Sequence, residues 1–141
     1  MNPCVLDSSV VFKWYRQSGD EDYVSEAIAI LENHLNGEIE IHVPDLLVYE
    51  LGNILICKEN IASKSAILIL ENTFSLEINI HPPSSALTES AYQLAKKYAV
   101  TFYDASFLAL SQLLDSPFIT ADKKLFTKIR FIPKTGFLGR L

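Results

Sequence analysis

The fold is decided by residues 39–59, IEIHVPDLLVYELGNILICKE. At the start of this stretch Ile39, Ile41 and Val43 alternate with polar neighbours, which is typical of a β-strand. The remainder is apolar at a helical spacing, and Pro44 suits the first turn of the predicted helix. A strand followed directly by a helix is the repeating unit of a parallel α/β sheet.

Short apolar runs and helical segments alternate on both sides of this stretch. Further strands are predicted at 4–6, 76–80, 118–119 and 131–132. Further helices are predicted at 21–35, 63–74, 84 or 85 to 98, 104–114 and 123–129. The sequence therefore predicts an α/β fold, with a central parallel sheet between two helical layers, formed by residues 1–141 as a single domain.

The composition excludes several classes of protein. With 49% hydrophobic and 21% charged residues, the 141-residue chain has the make-up of a globular domain. No apolar run approaches the ~18 residues of a membrane span, and the start, MNPCVLDSS, lacks the features of a signal peptide. We therefore expect a cytoplasmic protein without a membrane segment.

Cysteine and histidine provide no obvious zinc site. Cys4 and Cys57 form no CxxC pair, so we expect them to be reduced, buried thiols. The three histidines, His34, His42 and His81, show no close metal-ligand spacing. Both observations argue against zinc.

The chain has a net charge of −5, and the charged residues are unevenly distributed along it. Residues 1–114 hold 15 acidic and 6 basic side chains, whereas residues 115–141 hold 2 acidic and 6 basic ones. An acidic body is a poor general nucleic-acid surface, but the basic tail offers a local edge for phosphates. Lys123 and Lys124, directly after Asp122, are the candidate RNA contacts; a solvated helix face is the alternative.

Four carboxylates stand within apolar runs, where acids are rare unless paired or bound to a metal. They are Asp7 in CVLDSSV, Glu50 in LLVYELGNIL, Asp104 in TFYDASFLAL and Asp122 in FITADKKL. Asp7 and Asp122 directly follow predicted strands, and ligands of open parallel sheets bind at the carboxyl ends of strands.

Each acid also has a purely structural interpretation. Asp7, Asp104 and Asp122 stand where helices begin and could cap them, and Glu50 could form a buried ion pair, for example with a lysine. If the four instead converge, their repulsion requires protonation or a hard cation. Oxygen ligands alone favour Mg²⁺ or Mn²⁺, which indicates phosphoryl chemistry.

The few glycines form no GxGxxG, GxxxxGK[ST] or GxSxG motif, so nucleotide-binding loops and a serine nucleophile are not indicated.

The order and spacing of VLDSSVVFKW, VYELGNIL, YDASFLALS and TAD resemble the PIN domain family, most closely its small VapC-like ribonuclease toxins. The resemblance covers essentially the whole chain. It implies an α/β/α fold that binds Mg²⁺ or Mn²⁺ through acidic residues and cleaves RNA to 5′-phosphate and 3′-hydroxyl ends. It also implies a homodimer and a cognate antitoxin.

Carried onto this chain, the family's acidic positions match Asp7, Glu50, Asp104 and Asp122, with Asp7 and Asp104 as principal metal ligands. Ser9 and Thr120 match hydroxyl positions near the metal, and Asn53 matches a polar supporting position; local caps and turn bonds are the alternative for all three. Two further functions stay open. One is a non-catalytic PIN scaffold that binds RNA or a protein, and the other is a phosphoacceptor domain of receiver type.

Overall fold

A five-stranded, all-parallel sheet in the order β3-β2-β1-β4-β5 forms the centre of the computed structural model, which describes residues 2–16, 22–58 and 60–141. The strands are β1 (Asn2–Leu6), β2 (Ile39–Pro44), β3 (Asn79–His81), β4 (Phe118–Thr120) and β5 (Thr135–Phe137). Seven helices flank the sheet within the described ranges: α1 (Ser8–Val11), α2 (Val24–Leu35), α3 (Leu46–Cys57), α4 (Ser63–Ser75), α5 (Ser85–Tyr98), α6 (Phe102–Leu113) and α7 (Lys123–Ile129). Two short 3₁₀ turns lie at Phe12–Tyr15 and Leu138–Arg140. The predicted α/β fold with a central parallel sheet is confirmed.

Strand order places a crevice beside β1. The chain adds β2 and β3 on one side of β1, and β4 and β5 on the other. Leu6 pairs in register with Ile119, so the segments that leave β1 and β4 start side by side. Such a reversal of strand order is where open α/β sheets bind ligands.

The predicted buried helix is confirmed as α6, which packs on β1, β2 and β4. Its residues Ala105, Phe107 and Leu108 are almost wholly inaccessible to solvent, as are Val5 and Leu6 of β1. Burial of this apolar surface is the main stabilising contribution to the fold. None of the helices in the described part of the chain is long and apolar enough to cross a membrane.

Pro44 does not lie in the first turn of a helix, as the sequence predicted. It is the last residue of β2 and pairs with His81, and α3 begins only at Leu46. Proline has no N–H to donate, but the next residue restores the ladder, because Asp45 N donates to His81 O at 2.9 Å. A strand-terminal proline is therefore tolerated.

The predicted last strand at 131–132 is also wrong. Residues 130–134 form the turn after α7, with Ile132 N donating to Ile129 O at 2.9 Å, and the strand comes later, at Thr135–Phe137. Phe131 is 85% exposed, whereas Ile132 is buried beneath the turn. Two apolar residues in a row predict burial but cannot distinguish a strand from a packed turn.

Smaller corrections concern element ends and thiols. The predicted strand 76–80 starts only at Asn79, because α4 extends to Ser75 and Leu76 closes it. The predicted helix 21–35 begins at Val24, and residue 21 lies outside the described residues. Cys4 is buried as expected, but Cys57, at the end of α3, is exposed.

Candidate functional site

Asp7 is the buried centre of the acidic cluster. Its backbone N–H donates to Ile119 O at 2.9 Å, continuing the β1–β4 ladder, and the residue is 3% exposed. Its Oδ2 accepts two hydrogen bonds, from Ser9 Oγ at 2.7 Å and from Thr120 Oγ1 at 2.8 Å. The side chain makes no capping bond to α1, so the capping interpretation of Asp7 is wrong.

Ser9 and Thr120 join Asp7 to the segment after β4. Ser9 Oγ accepts from Ala121 N at 2.9 Å, and Thr120 Oγ1 accepts from Asp122 N at 3.0 Å. Each hydroxyl thus donates to Asp7 while it accepts from this segment. The two hydroxyls hold Asp7 and Asp122 at adjoining positions.

Asp104 and Asp122 differ in their capping roles. α6 is capped by Thr101, whose Oγ1 accepts from Asp104 N at 3.0 Å, so the capping interpretation of Asp104 is wrong. Asp122 does cap α7, because its Oδ1 accepts from Leu125 N at 3.1 Å. The second carboxylate oxygen of Asp122 is not used in that cap.

The four carboxylates are close enough to affect one another's ionisation. Burial raises the pKa of Asp7 to about 6, with contributions from the charges of Asp104 and Asp122 and opposition from its two hydroxyl bonds. Burial raises the pKa of Glu50 to about 7, helped by Asp7 and Asp104 and opposed by the Ser8 hydroxyl. Burial and the charge of Asp122 also raise the pKa of Asp104. The fold therefore brings together all four predicted acids.

Two oxygens in this cluster lack a partner. Among the described residues, Asp7 Oδ1 and Glu50 Oε1 are buried without any hydrogen bond, and no ion pair involves Glu50. The predicted ion pair of Glu50 is thus not observed in this part of the chain. Buried carboxylate oxygens with no donor are costly unless they are protonated or bind a cation.

The donor set fits a hard divalent cation that keeps part of its water shell. Within the described ranges, no three His, Cys, Asp or Glu side chains converge closely enough to enclose an ion by themselves. Mg²⁺ does not require such a cage, since it commonly binds through one or two carboxylates and retains several waters. The two unpartnered oxygens, on Asp7 and Glu50, are the atoms in the described structure that are left available to such a cation.

The remaining candidate residues are exposed to solvent. Asn53 is exposed on α3, and no hydrogen bond joins it to another described residue, so its supporting role stays a prediction. Lys123 and Lys124 are exposed and border a cavity of about 440 Å³ together with Asp122. The basic residues therefore do stand beside the acids.

Sequence reasoning missed a second polar group, at the β2–β3 edge of the sheet. His42 Nδ1 lies 2.8 Å from His81 Nε2, and His42 Nε2 lies 2.8 Å from Glu40 Oε1. The spacing along the chain hid this pair, but both strands carry the pattern Ile-x-Ile-His, at 39–42 and 78–81. That repeat is the signal that could have placed the two histidines together.

Known proteins resemble this chain in both sequence and fold. The sequence pattern of the PIN domain matches residues 4–132. A protein named Ribonuclease VapC1, from Mycobacterium tuberculosis, is 33% identical over 128 residues, which cover 89% of this chain and 90% of that protein. A toxin-antitoxin complex from Klebsiella pneumoniae matches with a TM-score of 0.67 and 18% identity over 94% of both chains. FitAcB from Neisseria gonorrhoeae matches with a TM-score of 0.68 and 17% identity, over 98% of this chain and 99% of that one.

Proposed function

Because this chain belongs to the PIN domain family, we propose that it is a Mg²⁺- or Mn²⁺-dependent endoribonuclease and the toxin of a toxin–antitoxin pair. The observation that carries the proposal is the pair of buried oxygens without a partner, Asp7 Oδ1 and Glu50 Oε1. They lie in a cluster of four acids at the carboxyl ends of β1 and β4, where such a sheet binds ligands. The similarity to Ribonuclease VapC1 supports RNA as the substrate.

The proposal assigns each residue of the cluster a role. Asp7 and Asp104 are the principal cation ligands, as the family resemblance implies, and Glu50 and Asp122 add negative charge beside them. When bound, the cation neutralises the carboxylates and polarises a phosphoryl oxygen and a water molecule. Ser9 and Thr120 hold Asp7 through one oxygen, which leaves the other directed at the cation.

Metal removal tests the proposal directly. Purified protein should cleave RNA with Mg²⁺ or Mn²⁺ and should lose that activity in EDTA, because the acids alone repel the phosphate. End-group analysis should show 5′-phosphate and 3′-hydroxyl products. Full activity in EDTA would refute the metal-dependent reaction, and the absence of cleavage under all conditions would favour a non-catalytic scaffold.

Lys123 and Lys124 are proposed to guide RNA to the site. The variant Lys123→Ala/Lys124→Ala should bind all RNA sequences more weakly and reduce the slope of log K against log salt by up to ~1.4, two phosphate contacts on a single strand. Cleavage at saturating RNA should survive, since these charges act on association. Titration of one labelled RNA at several salt concentrations measures the slope.

Lys64→Ala is the matched control for that titration. It removes an exposed charge from α4, which does not border the cavity, and should leave the salt slope unchanged. A double variant with the parental slope would exclude the two lysines from RNA binding.

An apolar face on α3 and α4 supports the antitoxin part of the proposal. Ile56 is 84% exposed, Leu68 57% and Ile67 55%, and a groove of about 320 Å³ runs between these helices. Exposed apolar patches of this kind mark protein interaction sites. A small DNA-binding protein encoded in the neighbouring reading frame would support the existence of an antitoxin.

We also propose that the chain forms a homodimer. Sedimentation would distinguish this dimer from a 15.8 kDa monomer.

A further inference from the structure

The cavity beside Asp122 has a composition unlike the rest of this acidic protein. Its volume is about 440 Å³, within the range of small-molecule sites, which begins at roughly 300 Å³. Three lysines, Lys13, Lys123 and Lys124, line it against two aspartates, Asp22 and Asp122. Among the described residues that line it, lysines therefore outnumber aspartates, in a chain whose net charge is −5.

One wall of the cavity is shared with the acidic cluster. Ala121 and Asp122 line it, and the N–H of Ala121 donates to Ser9 Oγ, which itself donates to Asp7. A group bound in the cavity therefore lies directly next to the proposed reaction centre.

Tyr23 forms an aromatic wall of the same cavity, and the fold holds it in a fixed position. Its backbone is left-handed, with φ of 66°, a conformation that tyrosine adopts only when its surroundings impose it. Its ring packs edge-on against Phe137, with centroids 5.8 Å apart. A Cβ on Gly139 would lie only 2.6 Å from Tyr23 Cζ, so glycine is required there for the ring to occupy this place.

We propose that this cavity binds one nucleotide of the RNA, adjacent to the cleaved phosphodiester, with its phosphate at Lys123 and Lys124 and its base stacked against Tyr23. The inference rests on the proposed ribonuclease function and adds a subsite to it. Stacking on an aromatic side chain accepts every base, so the subsite would position RNA without selecting its sequence. Gly139 and Phe137 are positioning residues, because they act through the ring of Tyr23.

Nucleotide binding in EDTA tests the subsite separately from catalysis. The probes are AMP and UMP, compared with ribose 5-phosphate, which has the phosphate and sugar but no base. Both nucleotides should bind the wild-type protein roughly 5- to 100-fold more tightly than ribose 5-phosphate, the range expected for one stacked base. Equal binding of all three probes would overturn the inference.

Two pairs of variants test whether the tighter binding of nucleotides depends on the ring of Tyr23. Tyr23→Leu should abolish the advantage of the nucleotides, whereas Tyr23→Phe, which keeps the ring, should retain it. Gly139→Ala should also reduce the advantage by displacing the ring. Its control is Gly136→Ala, whose added Cβ meets Leu141 only at an ordinary 3.5 Å. The glycine pair and the wild-type comparison remain decisive if Tyr23→Leu fails to fold.

Failure of the subsite and failure of the proposed function give different results. A wild-type protein that cleaves RNA but shows no preference for nucleotides overturns the subsite and leaves the ribonuclease proposal in place. The opposite result is a wild-type protein that binds nucleotides more tightly than ribose 5-phosphate, loses this preference in Tyr23→Leu, and cleaves no RNA. That result overturns the ribonuclease proposal and leaves a nucleotide-binding cavity.

Discussion

Replacing Asp7 with asparagine is expected to lower the rate of RNA cleavage by ~10³-fold or more, since the charge stabilisation that a bound cation provides is worth several kcal/mol. Asparagine keeps the shape of the side chain, and its oxygen can still accept from Ser9 and Thr120. The fold should therefore remain intact while the cation loses its buried ligand. Single-turnover cleavage at saturating RNA measures the loss, and Asp104→Asn should behave in the same way.

The same variant should be more stable than the parent in EDTA, by an amount that depends on pH. In the folded protein Asp7 has a pKa of about 6, whereas the unfolded chain releases this proton near the ordinary value of 3.8. The folded state therefore holds the extra proton between these values, and wild-type stability falls as the pH rises through that window. The asparagine side chain of the variant cannot ionise, so the variant should be more stable by ~3 kcal/mol at about pH 7.5 and by ~1 kcal/mol at about pH 4.5.

Urea denaturation of both proteins at the two pH values tests this difference. Ionisable groups remote from Asp7 contribute equally to the stability of both proteins, so they do not affect the comparison. Mg²⁺ should narrow the gap by stabilising only the wild type. The control is Asp115→Asn, at an exposed, left-handed position that asparagine tolerates; it removes a surface ion pair with Lys134 and should leave cleavage unchanged. Wild-type cleavage by Asp7→Asn would contradict the assignment of Asp7 as a ligand.

Glu50→Gln is expected to reduce cleavage by at least ~10²-fold, about 3 kcal/mol of transition-state stabilisation, because it removes one of the carboxylate charges proposed to hold the cation. It should also raise the melting temperature in EDTA, because burial and the neighbouring carboxylates disfavour the charged form of Glu50. Cleavage assays and thermal melts with and without Mg²⁺ measure the two effects.

The ion-pair interpretation of Glu50 predicts the opposite stability change. A buried cation deprived of its partner would destabilise the fold by ~3 to 5 kcal/mol, with or without metal. Glu89→Gln, on the exposed side of α5, is the control and should change neither property. Marked destabilisation of Glu50→Gln both with and without Mg²⁺ would support the ion-pair interpretation.

The acids could be found from the sequence because their surroundings are local. Asp7, Glu50 and Asp104 interrupt apolar runs, and an acid within such a run signals burial whatever the tertiary structure. The proximity of Asp7 and Asp122 also followed from a general rule, since the carboxyl ends of parallel strands share one edge of the sheet, whereas no such rule placed Glu50 and Asp104, which lie in helices. The alternation of short apolar runs with helical segments along the chain was sufficient to predict that sheet.

Features that depend on distant pairing were not predictable in this way. Pro44 could end a strand only because Asp45 donates to His81, which lies 36 residues later in the chain. The position of Tyr23 depends on a glycine at 139, and no pattern near either residue indicates the other. Likewise, Phe131 and Ile132 are both apolar and adjacent in sequence, but the turn after α7 exposes Phe131 and buries Ile132.

The hydrogen bonds at Asp7 would determine which ions the proposed metal site accepts. Both hydroxyl donors occupy Oδ2, so the carboxylate can offer a cation only Oδ1. Calcium commonly takes both oxygens of a carboxylate within a loose shell of six to eight ligands, whereas magnesium requires single oxygens in a tight octahedron. By restricting Asp7 to one-oxygen coordination, Ser9 and Thr120 would make the site select the smaller ion over calcium through denticity, without any difference in charge.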